Sequence, residues 1–152
     1  ADSYHIPVCD YHWIKDGRDW TSEEGLVVPN SELTLDPPPT RSYAFASDTV
    51  YQEQTAAYVK GVDLLYHEST FCEDNAVRAA ETMHSTAKEA AQVAKLAGAS
   101  QLLLGHFSAR YADPAVFLEE AKEVFPQTTL AQELWSYQFQ ESGLQAQPIK
   151  VQ

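Results

Sequence analysis

Four places in this chain carry residue types that bind metals or move protons: Asp48, the His67-Glu68 pair, His84 and His106. Imidazole nitrogen and carboxylate oxygen both ligate zinc and also suit manganese. An imidazole held by a carboxylate keeps one tautomer and can transfer a proton. The positions recur in one kind of place. Asp48 follows a β-prone run, His67-Glu68 follows an apolar one, and His106 follows another. In open α/β sheets, ligands bind outside the carboxyl ends of the strands. Taken singly, Asp48-Thr49 also fits a turn or helix N-cap, and His67-Glu68 an ordinary strand end. His84 also fits a surface residue before a helix, and His106 a half-buried histidine. Taken together, at successive strand ends, they fit a metal site as well as they fit plain structure.

The elements that must position these groups centre on residues 83–111. Thr86, three residues before Glu89, has capping-box spacing. The run AKEAAQVAKLA from Ala87 is rich in helix formers, and Gly98 stands where a helix end favours positive φ. A helix over 87–97 therefore starts just after His84. Gln101 to Leu104 reads as a buried strand that delivers His106 to a loop. Upstream, Ser42–Ala46 and Val62–Tyr66 read as strands, with a short helix between them over 52–59. Cys72–Thr82 reads as a helix with Asp74 or Asn75 as N-cap. Asp113-Pro114 starts another that runs to about Phe125, and Leu134–Phe139 is a last strand. The tail 140–152 is polar and expected to fray. Residues 1–40 read as irregular, with a loose hairpin around Lys15–Arg18 and a stiff Pro37–Pro39 linker. Strands alternating with helices make the fold class α/β.

Composition narrows the field. At 152 residues and 44% apolar the chain is at most one domain with a real core. A net charge of −12 argues against unaided binding to phosphate backbones. The two cysteines, Cys9 and Cys72, have no paired spacing, so a reducing, cytoplasmic setting is expected. No run approaches membrane-spanning length and no signal peptide is evident. The first residue is not Met, which suggests a start within a longer protein or after processing. The acidic stripe Glu119, Glu120, Glu123 reads as solvated surface.

ASDT at 46–49, HESTF at 67–71, HST at 84–86 and GHFSARY at 105–111 resemble, in order and spacing, the C-terminal half of ribonuclease Z. That family comprises the tRNA 3′-processing endoribonucleases of the metallo-β-lactamase fold. The likeness runs from about Arg41 to Phe139, and only loosely over residues 1–40, which look like the segment after the family's tRNA-binding arm. It implies that Asp48 bridges two metals and that His106 ligates the second. It further implies that His84 protonates the leaving 3′ oxygen, that Glu68 orients His84, and that Arg110 touches a phosphate. Two zinc ions, or manganese, about 3.5–4 Å apart would activate water and polarise the phosphodiester.

The family's HxHxDH motif is nowhere in this chain. The expectations are therefore the C-terminal half of a metallo-β-lactamase αββα sandwich, spanning 41–139, which is inactive alone. An upstream HxHxDH half, precursor tRNA and a second copy in a homodimer are its expected partners. A different phosphodiesterase or arylsulfatase-like hydrolase of the same fold, and a non-catalytic half-domain binding a partner chain, are the alternatives. Val62, Leu64, Leu102 and Leu104 are the residues expected to need cover from helices or a second sheet.

Overall fold

The computed structural model describes residues 4–37, 39–140 and 143–149. Two compact units are present, Ala1–Thr40 and Arg41–Gln152. The first is more regular than its sequence suggests. A 3-10 turn at Val8–Asp10 leads into α1 (Tyr11–Lys15), and β1 (Trp20–Thr21) pairs antiparallel with β2 (Val27–Val28) before α2 (Asn30–Leu33). Ile6, Ile14, Trp20 and Val28 form its buried core. The Trp20 indole donates to Asp10 Oδ2 at 2.9 Å. The hairpin expected at Lys15–Arg18 lies later in the chain. Asp16 and Gly17 close α1, whose terminal carbonyls they bond, while the strand reversal falls at Ser22–Leu26. The Pro37–Pro39 linker lies partly outside the described residues.

The second unit is built on a parallel sheet of β3 (Tyr43–Ala46), β4 (Leu64–Glu68), β5 (Gln101–Gly105) and β6 (Thr128–Leu130), in that order. The connections carry α3 (Glu53–Tyr58), then α4 (Ala76–Glu81) with α5 (Ala87–Ala97), then α6 (Ala115–Val124). The signals around α5 act as their chemistry requires. Thr86 and Glu89 form both halves of the capping box, and Gly98 takes φ 64°. Asn75 precedes α4 but its side chain does not cap; its amide goes to Tyr111 Oη instead. Asp113 accepts from the Ala115 amide at 2.9 Å, and the helix begins one residue after Pro114.

Leu65, Leu102 and Leu104 are fully buried together with α5 residues Ala90, Ala91, Val93 and Ala94 and α6 residue Phe117. The apolar face expected to lie open is thus covered, because Val62, Leu102 and Leu104 pack into this cluster and Leu64 is also buried. The exposed positions are on β3, where Tyr43 and Phe45 are 58% and 64% exposed. Phe45 stacks on Tyr66 with ring centroids 4.6 Å apart. Tyr66 in turn lies directly over Gly105, where any Cβ would collide with its ring, so this position requires glycine.

Two elements depart from the sequence expectation. β6 was unforeseen, being only three residues long. Within the tail expected to fray, the described residues 143–148 form β8 (Gly143–Pro148), which pairs antiparallel with β7 (Trp135–Gln140), from Trp135 opposite Pro148 to Gln140 opposite Gly143. Tyr137 fixes this ribbon to the sheet by donating to Leu130 O at 3.0 Å and accepting from the Gln132 amide at 2.7 Å. Among the described residues, no helix is long and apolar enough to cross a membrane.

Candidate metal centre

β4 runs two residues further than its apolar run, because His67 pairs with Leu104 and Glu68 with Gly105 on β5. This extension places Glu68 inside the sheet edge, fully buried. Its carboxylate accepts from five donors. Thr49 N and His84 Nδ1 donate to Oε1 at 2.7 and 2.9 Å. Thr70 Oγ1, Thr70 N and Ser85 N donate to Oε2 at 2.5, 3.3 and 3.3 Å. Burial opposes ionisation of Glu68, yet the bonds from Thr70, His84, Thr49 and Ser85 outweigh it and hold the carboxyl below its ordinary value.

These bonds gather three loops. The Asp48 turn is held by Thr49 N on Glu68 and by Ser85 Oγ donating to Thr49 O at 2.6 Å. The His84 loop runs beside residues 69–71, with Phe71 N bonded to Ser85 O and Ala87 N to Phe71 O. The His106 loop is joined to the same segment by Ser108 N on Thr70 O at 3.1 Å. Asp48, His106 and Met83, the residue before His84, all have φ between 49° and 61°. Left-handed backbone at non-glycine residues is costly and persists where the surroundings enforce it, typically at functional sites.

The result brings Asp48, His84 and His106 together, with one donor atom from each lying within 4.8 Å of the others. His106 Nε2 is 3.4 Å from Asp48 Oδ1. Two donors on one tetrahedral zinc, each roughly 2.0–2.1 Å from it, would be about 3.3–3.5 Å apart, so the pair suits an ion of that kind. The His84 and His106 rings face each other with centroids 5.3 Å apart. A cavity of about 430 Å³ beside His106 is lined by Tyr66, Gly105, Phe107, Ala131, Gln132 and Glu133.

The sequence-derived residues fare unequally. Asp48, Glu68, His84 and His106 converge. Arg110 is exposed in the turn after His106, and its side chain joins none of these bonds. His67 is buried away from the cluster; its Nδ1 bonds Glu68 O at 2.7 Å, and burial pushes the imidazole below its ordinary value. Thr49, Thr70 and Ser85 are not singled out by the sequence although they lie within the ASDT, HESTF and HST segments. Tyr111 was missed as well. Its hydroxyl accepts from Cys72 N and Asn75 Nδ2 and donates to Asp74 Oδ1, fixing the far end of the His106 loop. Glu120, read as solvated, accepts the Lys88 amide in the first turn of α5 and the Glu73 amide.

The Beta-lactamase superfamily domain profile matches residues 18–107, more than half of the chain, and the chain belongs to that family. Its relatives carry a more particular name. Ribonuclease Z of Bacteroides thetaiotaomicron is 50% identical over 133 residues, covering 88% of this chain and 42% of that protein. Ribonuclease Z of Porphyromonas gingivalis is 49% identical over 133 residues, 88% of this chain and 44% of its own length. Among solved structures, the metallo-beta-lactamase fold protein YhfI from Bacillus subtilis superposes with a TM-score of 0.57 at 29% identity, over 61% of this chain and 38% of that one. The chain thus spans less than half the length of the relatives it matches.

Proposed function

We propose that this chain is the C-terminal part of a zinc-dependent ribonuclease Z, which removes the 3′ trailer of precursor tRNA by phosphodiester hydrolysis. The observation that carries the reading is the gathering of Asp48, His84 and His106, with His84 bonded to a fully buried Glu68, on a chain about half identical to proteins of that name. Asp48 and His106 are the proposed metal ligands. Bound divalent ions there would supply positive charge that polarises the phosphodiester and lowers the pKa of water.

The chain's own residues have separate tasks. Glu68 Oε1 fixes the His84 ring through Nδ1, which turns Nε2 outward as the atom able to carry a proton to the leaving 3′ oxygen. The φ-positive residues at 48, 83 and 106 aim the three side chains without needing substrate to order them. Arg110, exposed beside the site, is the proposed phosphate contact. The remaining metal ligands, including an HxHxDH segment, and most of the tRNA-binding surface are assigned to an upstream half. This division accounts for the acidic balance of the present chain. A homodimer and a cytoplasmic location follow from the same reading.

The test supplies that upstream half in trans. Metal binding and cleavage of a 3′-extended tRNA precursor should both appear on mixing. A compact monomer that gains neither would sink the proposal. Hydrolysis of small phosphodiesters with the tRNA precursor left intact would favour a different phosphodiesterase of the same fold.

A further inference from the structure

The Thr70 hydroxyl has one proton and three partners. Its Oγ1 is 2.5 Å from Glu68 Oε2, 2.9 Å from His106 Nδ1 and 3.3 Å from His84 Nδ1. A hydroxyl offers one donor and two lone pairs, whereas an ionised carboxylate only accepts. The Thr70 proton therefore goes to Glu68, and the imidazoles can meet Oγ1 only by donating to it. His84 Nδ1 has a nearer acceptor in Glu68 Oε1, at 2.9 Å. His106 Nδ1 has Thr70. A neutral imidazole carries a single N–H. With that proton on Nδ1, the free lone pair is on Nε2, the atom that faces Asp48 Oδ1.

We propose that Thr70 is a positioning residue for His106: its hydroxyl, oriented by Glu68, holds the ring in the Nδ1–H form and leaves Nε2 free to ligate a metal. One buried carboxylate thereby sets both imidazoles of the site, His84 directly and His106 through Thr70. The geometry around Thr70 suits this task. The residue is 8% exposed, so bulk water competes little for its hydroxyl. Its backbone is pinned on both sides, with N donating to Glu68 Oε2 and O accepting from Ser108 N in the loop that carries His106. Partners of metal-ligating histidines commonly fix tautomer and ring direction in this way, through a carboxylate, a carbonyl or water. Here a threonine hydroxyl stands between ring and carboxylate. The inference rests on the reading of His106 as a metal ligand.

Side-chain nitrogen–proton correlation spectra of the metal-free protein test it without recourse to activity. At about pH 8.5, above the ordinary histidine range, the His106 ring should be in the Nδ1–H form; an Nε2–H ring overturns the proposal. Thr70→Val, close in shape but without the hydroxyl, should release that tautomer. With the upstream half present, it should also weaken zinc binding roughly 10–100-fold. Thr70→Ser should keep both the tautomer and most of the affinity. A Thr70→Val protein whose His106 tautomer is unchanged overturns the proposal, as does Thr70→Ser losing the Nδ1–H form. If Thr70→Val fails to fold, the unsubstituted and Thr70→Ser spectra still decide. Absence of zinc binding in the assembled, unsubstituted protein overturns the ligand assignment itself, whereas an Nε2–H ring in a zinc-binding protein overturns only the role of Thr70.

Discussion

Glu68 ends β4 and Asp48 follows β3, its parallel neighbour, yet their surroundings are opposite. Glu68 is fully buried and accepts from five donors. The Asp48 side chain is 73% exposed, with His106 Nε2 facing it at 3.4 Å. The part proposed to handle protons, Glu68 with Thr70, His84 and Ser85, is hydrogen-bonded within this chain. The part proposed to bind metal, Asp48 with His106, is the exposed one. A buried carboxylate with its lone pairs engaged is fixed in place, whereas an exposed one keeps lone pairs free for a ligand.

The largest effect should be on metal affinity. With so few donors supplied, the lone chain should bind zinc with a Kd on the order of micromolar or weaker, against apparent energies of about 10–16 kcal/mol for complete structural zinc sites. Equilibrium dialysis that finds two tightly held zinc ions per chain would erase the contrast between the two parts. Next in size, His84→Ala in the assembled enzyme should lower turnover roughly 10²–10⁴-fold with metal content unchanged. Loss of metal in step with activity would instead make His84 a ligand and move it to the open part of the site.

Glu68→Gln sharpens the comparison from the other side. As a residue that only orients His84, Glu68 would be expected to matter less than His84 itself. The structure adds a second consequence, because both carboxylate oxygens accept. An amide would turn its NH2 toward buried N–H or O–H donors, and the fold should lose about 2–3 kcal/mol. Asp48→Asn, at an exposed position, should leave stability within about 0.5 kcal/mol. Chemical denaturation of the two variants measures the difference directly, and equal losses would contradict it.

The smallest effect is on pH dependence. Burial holds His67 below its ordinary value, so the unfolded chain takes up a proton that the folded one refuses. The stabilisation is fully present above about pH 6.5, the unfolded value, and is lost as pH falls below it. His67→Gln should flatten that part of the stability profile relative to the unsubstituted protein. Parallel profiles for the two proteins would show that His67 is not desolvated.

Local chemistry was legible in the sequence. The Thr86–Glu89 capping box, Gly98 with its left-handed φ, and the apolar run of β5 act over a few residues, and each took the form its neighbours dictate. Asp48, Glu68, His84 and His106 could be singled out from side-chain type and order, and the structure brings them together. What needed the tertiary structure was every bond between distant segments. β6 and β8 are defined by their pairing partners, one too short and the other too polar to announce itself. β4 extends through Glu68 because β5 supplies partners out to Gly105, which no property of His67 or Glu68 reveals. Thr70 looks like an ordinary strand-end hydroxyl until the folded chain places Glu68, His84 and His106 around it. A hydrogen bond depends on position to within tenths of an ångström, and only long-range packing sets positions that finely.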